Sequence, residues 1–222
     1  MFEKVGFENI IKSKIVAGIE LVILPNGFYE INLVVLKKNK SQISIEKKAE
    51  GLNSIDELTK ALDANSPIVL LINGKGIIHR KITITDKDTL SVILNKLLPN
   101  ANIEEFILQK TFINESEAFI SVIRTSVLNE IVEAFKKAKL VAITECFLGP
   151  FVVSNVLSLI DERIIANNHE FRFDKYIIKT DRSQLTDISI VDATNTNQKI
   201  LIGGEYLNSK LLLAFASGIS YF

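Results

Sequence analysis

Ile68-Val69-Leu70-Leu71-Ile72 is a run of five apolar residues with no polar position inside it. A half-buried strand would alternate, so a run of this kind fits a strand covered on both faces. Such a strand belongs at the centre of a sheet with layers on either side, which places the chain in the α/β class. Asn73-Gly74-Lys75-Gly76 follows it. A phosphate-cradling P-loop needs G-x-x-x-x-G-K followed by Ser or Thr. Here Val69 takes the place of the first glycine and Gly76 follows the lysine. The pattern therefore predicts a turn, with Asn73-Gly74 joining Ile68–Ile72 to a strand over Ile77–Ile84 as a hairpin.

The flanking segments can be assigned around that strand. Lys14–Leu24, Phe28–Leu36 and Gln42–Lys48 read as three strands, the first pair joined by Pro25-Asn26-Gly27, which predicts an antiparallel meander. Ser54 with Glu57 three residues on is a capping box, and Ile55, Leu58 and Leu62 give the helix behind it one apolar face. Leu90, Ile93, Leu94 and Leu97 mark a second helix, capped by Asp86 or Asp88 and ended at Pro99. Glu105–Phe112 and Ala118–Arg124 form a hairpin around Asn114-Glu115-Ser116, and Ser126 opens a helix with Leu128, Ile131, Val132 and Phe135 inward. Leu140–Thr144 is a strand, and Gly149-Pro150 starts a helix that buries Val153, Val156, Leu157 and Ile160. Strands over Glu170–Lys179, Ile188–Asp192 and Lys199–Ile202 come next, then a closing helix after Gly203-Gly204. Polar residues at Ala166-Asn167-Asn168 mark a boundary.

Composition excludes several functions. Lys plus Arg and Asp plus Glu are both 26, so the net charge is zero and no basic field attracts a nucleic acid backbone. Lys37, Lys38 and Lys40, and Lys136, Lys137 and Lys139, read as solvated faces. Cys146 is the single cysteine, which rules out an internal disulfide and suits a reducing compartment. His79 and His169 have no cysteine cluster beside them, which argues against zinc. The N-terminus is charged throughout, unlike a secretory signal. The apolar end, LLLAFASGISYF, is shorter than a bilayer span. Packing on the core and approach to a membrane both stay open for it.

The order of elements from Ile15 to Ile160 resembles the ribonuclease-H-like fold of the actin-like ATPase superfamily. More specifically, the chain looks like the PilM family of type IV pilus assembly proteins and the cytoplasmic domain of general secretion pathway protein L. In those families a small subdomain is inserted after the central strand. The chain then returns to the sheet through a stretch reading Leu-Val-x-Ile-x-Glu, matched here by Leu140-Val141-Ala142-Ile143-Thr144-Glu145. The resemblance implies a lobe over residues 1–165, with an inserted α+β subdomain at about 75–125, and a reduced C-terminal lobe over 166–222.

The resemblance also says where nucleotide chemistry would sit. Glu20 stands near the usual aspartate of the first hairpin, but Val22 replaces the expected glycine and obstructs backbone approach to a phosphate. Asp192, in Ile190-Val191-Asp192-Ala193-Thr194, is the candidate for a second phosphate loop, yet no glycine accompanies it. Gly203 and Gly204 match the paired glycines near adenosine, and equally serve a plain turn. If ATP and Mg are bound, Glu20, Asp192, Gly203 and Gly204 hold them. A two-metal nuclease would want carboxylates at Glu20, at Asp56 or Glu57, and after the central strand, where Asn73 stands instead. Cys146 reads as a small core residue.

These observations favour a non-catalytic actin-like scaffold with no cofactor over an ATPase or sugar kinase, and leave room for an unrelated enzyme or binding module on the same fold. The partners implied are protein components of a pilus or type II secretion platform, with homodimerisation as a further option and nucleic acid excluded. The expected location is the cytoplasm, at the inner-membrane face.

Overall fold

Ile15–Ile23 forms β1, Tyr29–Asn39 β2 and Gln42–Leu52 β3, paired antiparallel as the meander predicts. The structure is a computed structural model and describes residues 13–63, 65–85, 87–160, 170–181, 184–191 and 198–222. β4 (Ile68–Gly74) lies parallel to β1, and β8 (Ile143–Leu148) parallel to β4, giving a mixed sheet of order β3-β2-β1-β4-β8.

All five residues from Ile68 to Ile72 are 0% exposed. Strand alternation sends Ile68, Leu70 and Ile72 to one side, with Ala17, Ile19 and Leu21 of β1. There they meet Leu58 of α1 (Ile55–Ala61) and Leu128, Ile131 and Phe135 of α3 (Thr125–Lys137). Val69 and Leu71 face the other way with Val16, Val34 and Leu36, against the 3₁₀ segment Pro150–Leu159 and α4 (Leu212–Ile219). Each such side chain contributes about 1.5–3 kcal/mol on burial, so both layers are needed to hold the strand.

The capping box of α1 is made: the Ser54 hydroxyl accepts from the Glu57 N–H at 3.2 Å, and the Glu57 carboxylate accepts from the Asn53 N–H at 2.8 Å. α2 (Leu90–Leu97) is capped one residue later than expected, by Thr89, whose hydroxyl accepts from the Val92 N–H. Asp88 instead takes the Thr85 N–H and the Lys96 ammonium, and Asp86 lies outside the described residues.

Several expectations are corrected. β4 and β5 (Ile77–Thr83) do not form a hairpin. β5 leaves the main sheet and pairs with β7 (Glu117–Arg124), which pairs with β6 (Phe106–Phe112), in a separate antiparallel sheet of order β5-β7-β6. Ile93, Leu94 and Leu97 of α2 cover that sheet through Ile120 and Val122. β8 begins at Ile143 rather than Leu140, and its last residue is Leu148. Glu170–Lys179 is not one strand, because it folds back at Asp174-Lys175 into β9 (Glu170–Phe173) and β10 (Tyr176–Asp181). β11 (Gln184–Ile190) completes that sheet. Gly203 and Gly204 do not open a helix. They turn the chain between β12 (Lys199–Ile202) and β13 (Glu205–Asn208), at φ +57° and +86°, values that a Cβ disfavours.

The apolar C-terminal segment packs on the sheet as α4, with Leu212 to Gly218 buried. Gly18 permits this: a Cβ there would lie 2.0 Å from the Ala214 carbonyl oxygen and 2.6 Å from the Gly218 nitrogen. Among the described residues no helix is long and apolar enough to cross a membrane.

Candidate functional site

Three polar side chains leave the central strands on the face that carries α4, near the carboxyl ends of β1 and β4. Glu20 lies opposite Asn32 in the β1–β2 register, and Asn73 lies two residues further along, opposite Val22 on the same face. Their exposures are 4%, 3% and 2%. The Asn32 amide donates to one Glu20 oxygen at 3.2 Å, and the Asn73 amide donates to the other at 3.4 Å. Asn32 also accepts from the Gly51 N–H, and Asn73 from the Gly74 N–H.

The lid over this cluster comes from the β9–β10 hairpin. Tyr176 is 1% exposed and its hydroxyl accepts from the Asn73 amide, while Phe173 packs beside its ring at a tilt of 33°. Burial raises Glu20 to about 7, against the opposing pull of Lys175 and its two amide donors. Burial, with the Glu20 charge behind it, also raises the Tyr176 phenol. A crevice beyond the carboxyl ends of parallel strands is where open α/β sheets place ligands. Here a carboxyl, two amides and a phenol occupy it and satisfy one another.

Of the residues singled out from sequence, Glu20 and Asn73 meet in this cluster. Asp174 and Lys175, at the tip of the β9–β10 hairpin, approach Glu20, and Asp192 lies outside the described residues, as does His169. Gly203 and Gly204 stand in the β12–β13 turn, where an added Cβ would meet nothing within 4 Å. Asp56 and Glu57 sit on α1, across the sheet from Glu20, so the nuclease carboxylates do not converge. Among the described residues no group of three or more His, Cys, Asp or Glu side chains is placed to hold a metal ion. Asn32, Lys175 and Tyr176 carry no motif. Only the polar Asn32 inside the apolar run Ile31–Leu36 hinted at a buried partner.

A second feature lies between the two sheets. β6 ends one sheet and β8 ends the other, and a cavity of about 590 Å³ runs between them. Leu108 and Phe112 of β6, Leu90 of α2, Leu128 of α3 and Leu148 of β8 line it, with Lys110 as the one charged residue among the described lining. Phe112 is 62% exposed and Leu90 41%. Cys146 reaches it as well, its thiol pushed up to about 12 by burial and so unreactive.

No protein-family model matches the chain, and no curated protein matches its sequence. Among solved structures, the PilM–PilN type IV pilus biogenesis complex superposes at a TM-score of 0.57 with 12% identity, over 81% of this chain and 62% of that one. The fold is actin-like. The chain spans less than two thirds of that pilus protein's length. The cytoplasmic domain of EpsL, an inner-membrane component of the type II secretion system of Vibrio cholerae, aligns at 0.47 and 12% identity, over 78% of this chain and 71% of that one. A Bacteroides thetaiotaomicron protein of actin-like ATPase fold aligns at 0.42 and 13%, covering 86% and 75%.

Proposed function

We propose that this chain is a non-catalytic actin-like scaffold that works by binding other proteins in a pilus or secretion assembly platform at the cytoplasmic face of an inner membrane. The observation that carries the reading is Tyr176 seated on Asn73 over Glu20. Both Glu20 oxygens already accept amide hydrogens, and Val22 stands where a phosphate-binding hairpin wants glycine. These side chains are a poor fit for Mg–ATP, which needs a free carboxylate and open backbone N–H groups. Support for protein binding comes from the pilus neighbour, which assembles with PilN.

The groove between β6 and β8 is the docking surface in this reading. Its occupant is an extended segment of a partner protein. Apolar walls and a strand edge suit a chain whose alternate side chains are apolar, and Lys110 calls for a carboxylate on it.

Two titrations test this. Calorimetry with Mg–ATP is expected to show no binding, and micromolar binding lost in Glu20→Gln would sink the non-catalytic view. A fluorescein-labelled peptide of about eight residues, alternating Leu and Thr with one Asp, is the probe for the groove. It is expected to raise its anisotropy with the wild type and to lose most of that signal with Lys110→Glu or Phe112→Asp. Equal signals from all three would end the docking reading.

A further inference from the structure

Every strand of the β5-β7-β6 sheet sends a polar side chain into a chain of contacts that ends on β8. Gln109 of β6 accepts from the Leu148 N–H at 2.7 Å and donates to the Cys146 carbonyl at 3.4 Å. Ser121 of β7 donates to the Leu148 carbonyl at 2.9 Å. That uses the only hydroxyl proton, so His79 of β5, 3.0 Å away, carries its proton on Nδ1 and donates to Ser121.

Which edge of β8 these contacts occupy is fixed by its pairing. Gly149 donates to the Ile72 carbonyl, so residue 149 faces β4 and residues 146 and 148 face outward. Residues 146 and 148 therefore present four backbone groups to the open edge, and side chains occupy three of them: the Leu148 N–H, the Leu148 carbonyl and the Cys146 carbonyl. A primary amide has the donor and acceptor of one peptide unit. Gln109 thus stands where one residue of a sixth strand would pair.

We propose that Gln109 is an edge guard and positioning residue. Its side-chain amide closes β8 to strand pairing and fixes the spacing between the two sheets, so the groove is formed before any partner enters. With β8 closed, β6 is the edge left for an incoming segment, a consequence that rests on the docking reading above. Unguarded, the end of β8 would offer a free edge beside the apolar residues Phe147 and Leu148, a template for pairing between copies.

The test uses the full chain without a partner. Gln109→Leu keeps the volume and loses both hydrogen bonds, whereas Gln109→Glu keeps the short acceptance from the Leu148 N–H. Hydrogen exchange at the Leu148 amide is expected to speed up by roughly tenfold or more in Gln109→Leu and to stay within about threefold of wild type in Gln109→Glu. Sedimentation velocity should show concentration-dependent association for Gln109→Leu alone. Exchange at wild-type rate in Gln109→Leu, equal loss of protection in both variants, or a Gln109→Leu protein that stays at the wild-type sedimentation coefficient would each overturn the guard. The labelled peptide is then added to the wild type. Its failure to bind retires the docking reading and leaves the exchange result standing.

Discussion

Glu20 is a carboxyl group held where ionisation is costly. Its folded-state value, about 7, lies above the ordinary 4.5. The protonated form therefore belongs to the folded state, and the contribution to stability is full below about 4.5 and is lost as pH rises through about 7. The wild type should lose roughly 2 kcal/mol between pH 5 and pH 8 from this group. Glu20→Gln keeps the shape without the charge, so its melting temperature should be flatter across that window and exceed the wild type's at pH 8. Parallel curves for the two proteins would show that Glu20 titrates as an ordinary carboxyl. The neighbour Tyr176 offers a second probe. Tyr176→Phe leaves one Asn73 amide hydrogen without its acceptor in a buried place, which costs about 1–3 kcal/mol. Chemical denaturation should show that loss with an unchanged m-value, because the ring still fills the crevice.

α4 illustrates how an element is seated by a residue on another element. Gly18→Ala would drive a methyl group into the Ala214 carbonyl, a backbone atom that cannot yield without moving the helix. The expected cost is about 1–3 kcal/mol or more, and limited proteolysis should then cut within α4 before the rest of the chain. Resistance equal to wild type would mean that the helix shifts at little cost. Elements whose evidence is local were legible in the sequence. Five apolar residues announced a central strand, and Ser54 with Glu57 announced α1. Elements decided by distant partners were not. Asn73-Gly74 has hairpin chemistry, yet β1 and β8 take both edges of β4, so β5 pairs with β7, some forty residues later. Asp174 hid a turn because it takes φ +45° without a glycine to signal it. Gly203-Gly204 announced a turn, but the turn leads into the four-residue strand Glu205–Asn208, too short to outweigh the helical pattern after it. The candidate site was half visible for the same reason. Glu20 and Asn73 lie on strands that pattern fixes, while Tyr176 arrives from a hairpin 103 positions from Asn73.

At the scale of the whole molecule, the main sheet is stable only with both layers in place, and the second layer comes from the far end of the chain. Val16, Val34, Leu36, Val69 and Leu71 share one cluster with α4 and the C-terminal strands, while the other face belongs to α1 and α3. A chain shortened to end at Asn208 removes α4 and uncovers that face without touching α1, α3 or the β5-β7-β6 sheet. Each newly exposed Val or Leu forfeits about 1.5–3 kcal/mol, so a few of them match the entire stability of an ordinary domain. The shortened chain should keep much of its far-ultraviolet circular dichroism, bind a hydrophobic dye such as anilinonaphthalene sulfonate, and lose its sharp unfolding transition. The full chain should unfold in one transition with little dye bound. If the shortened chain still melts sharply within a few degrees of the full one, the α1 and α3 layer holds the sheet by itself, and α4 is an accessory to the Tyr176 crevice rather than part of the core.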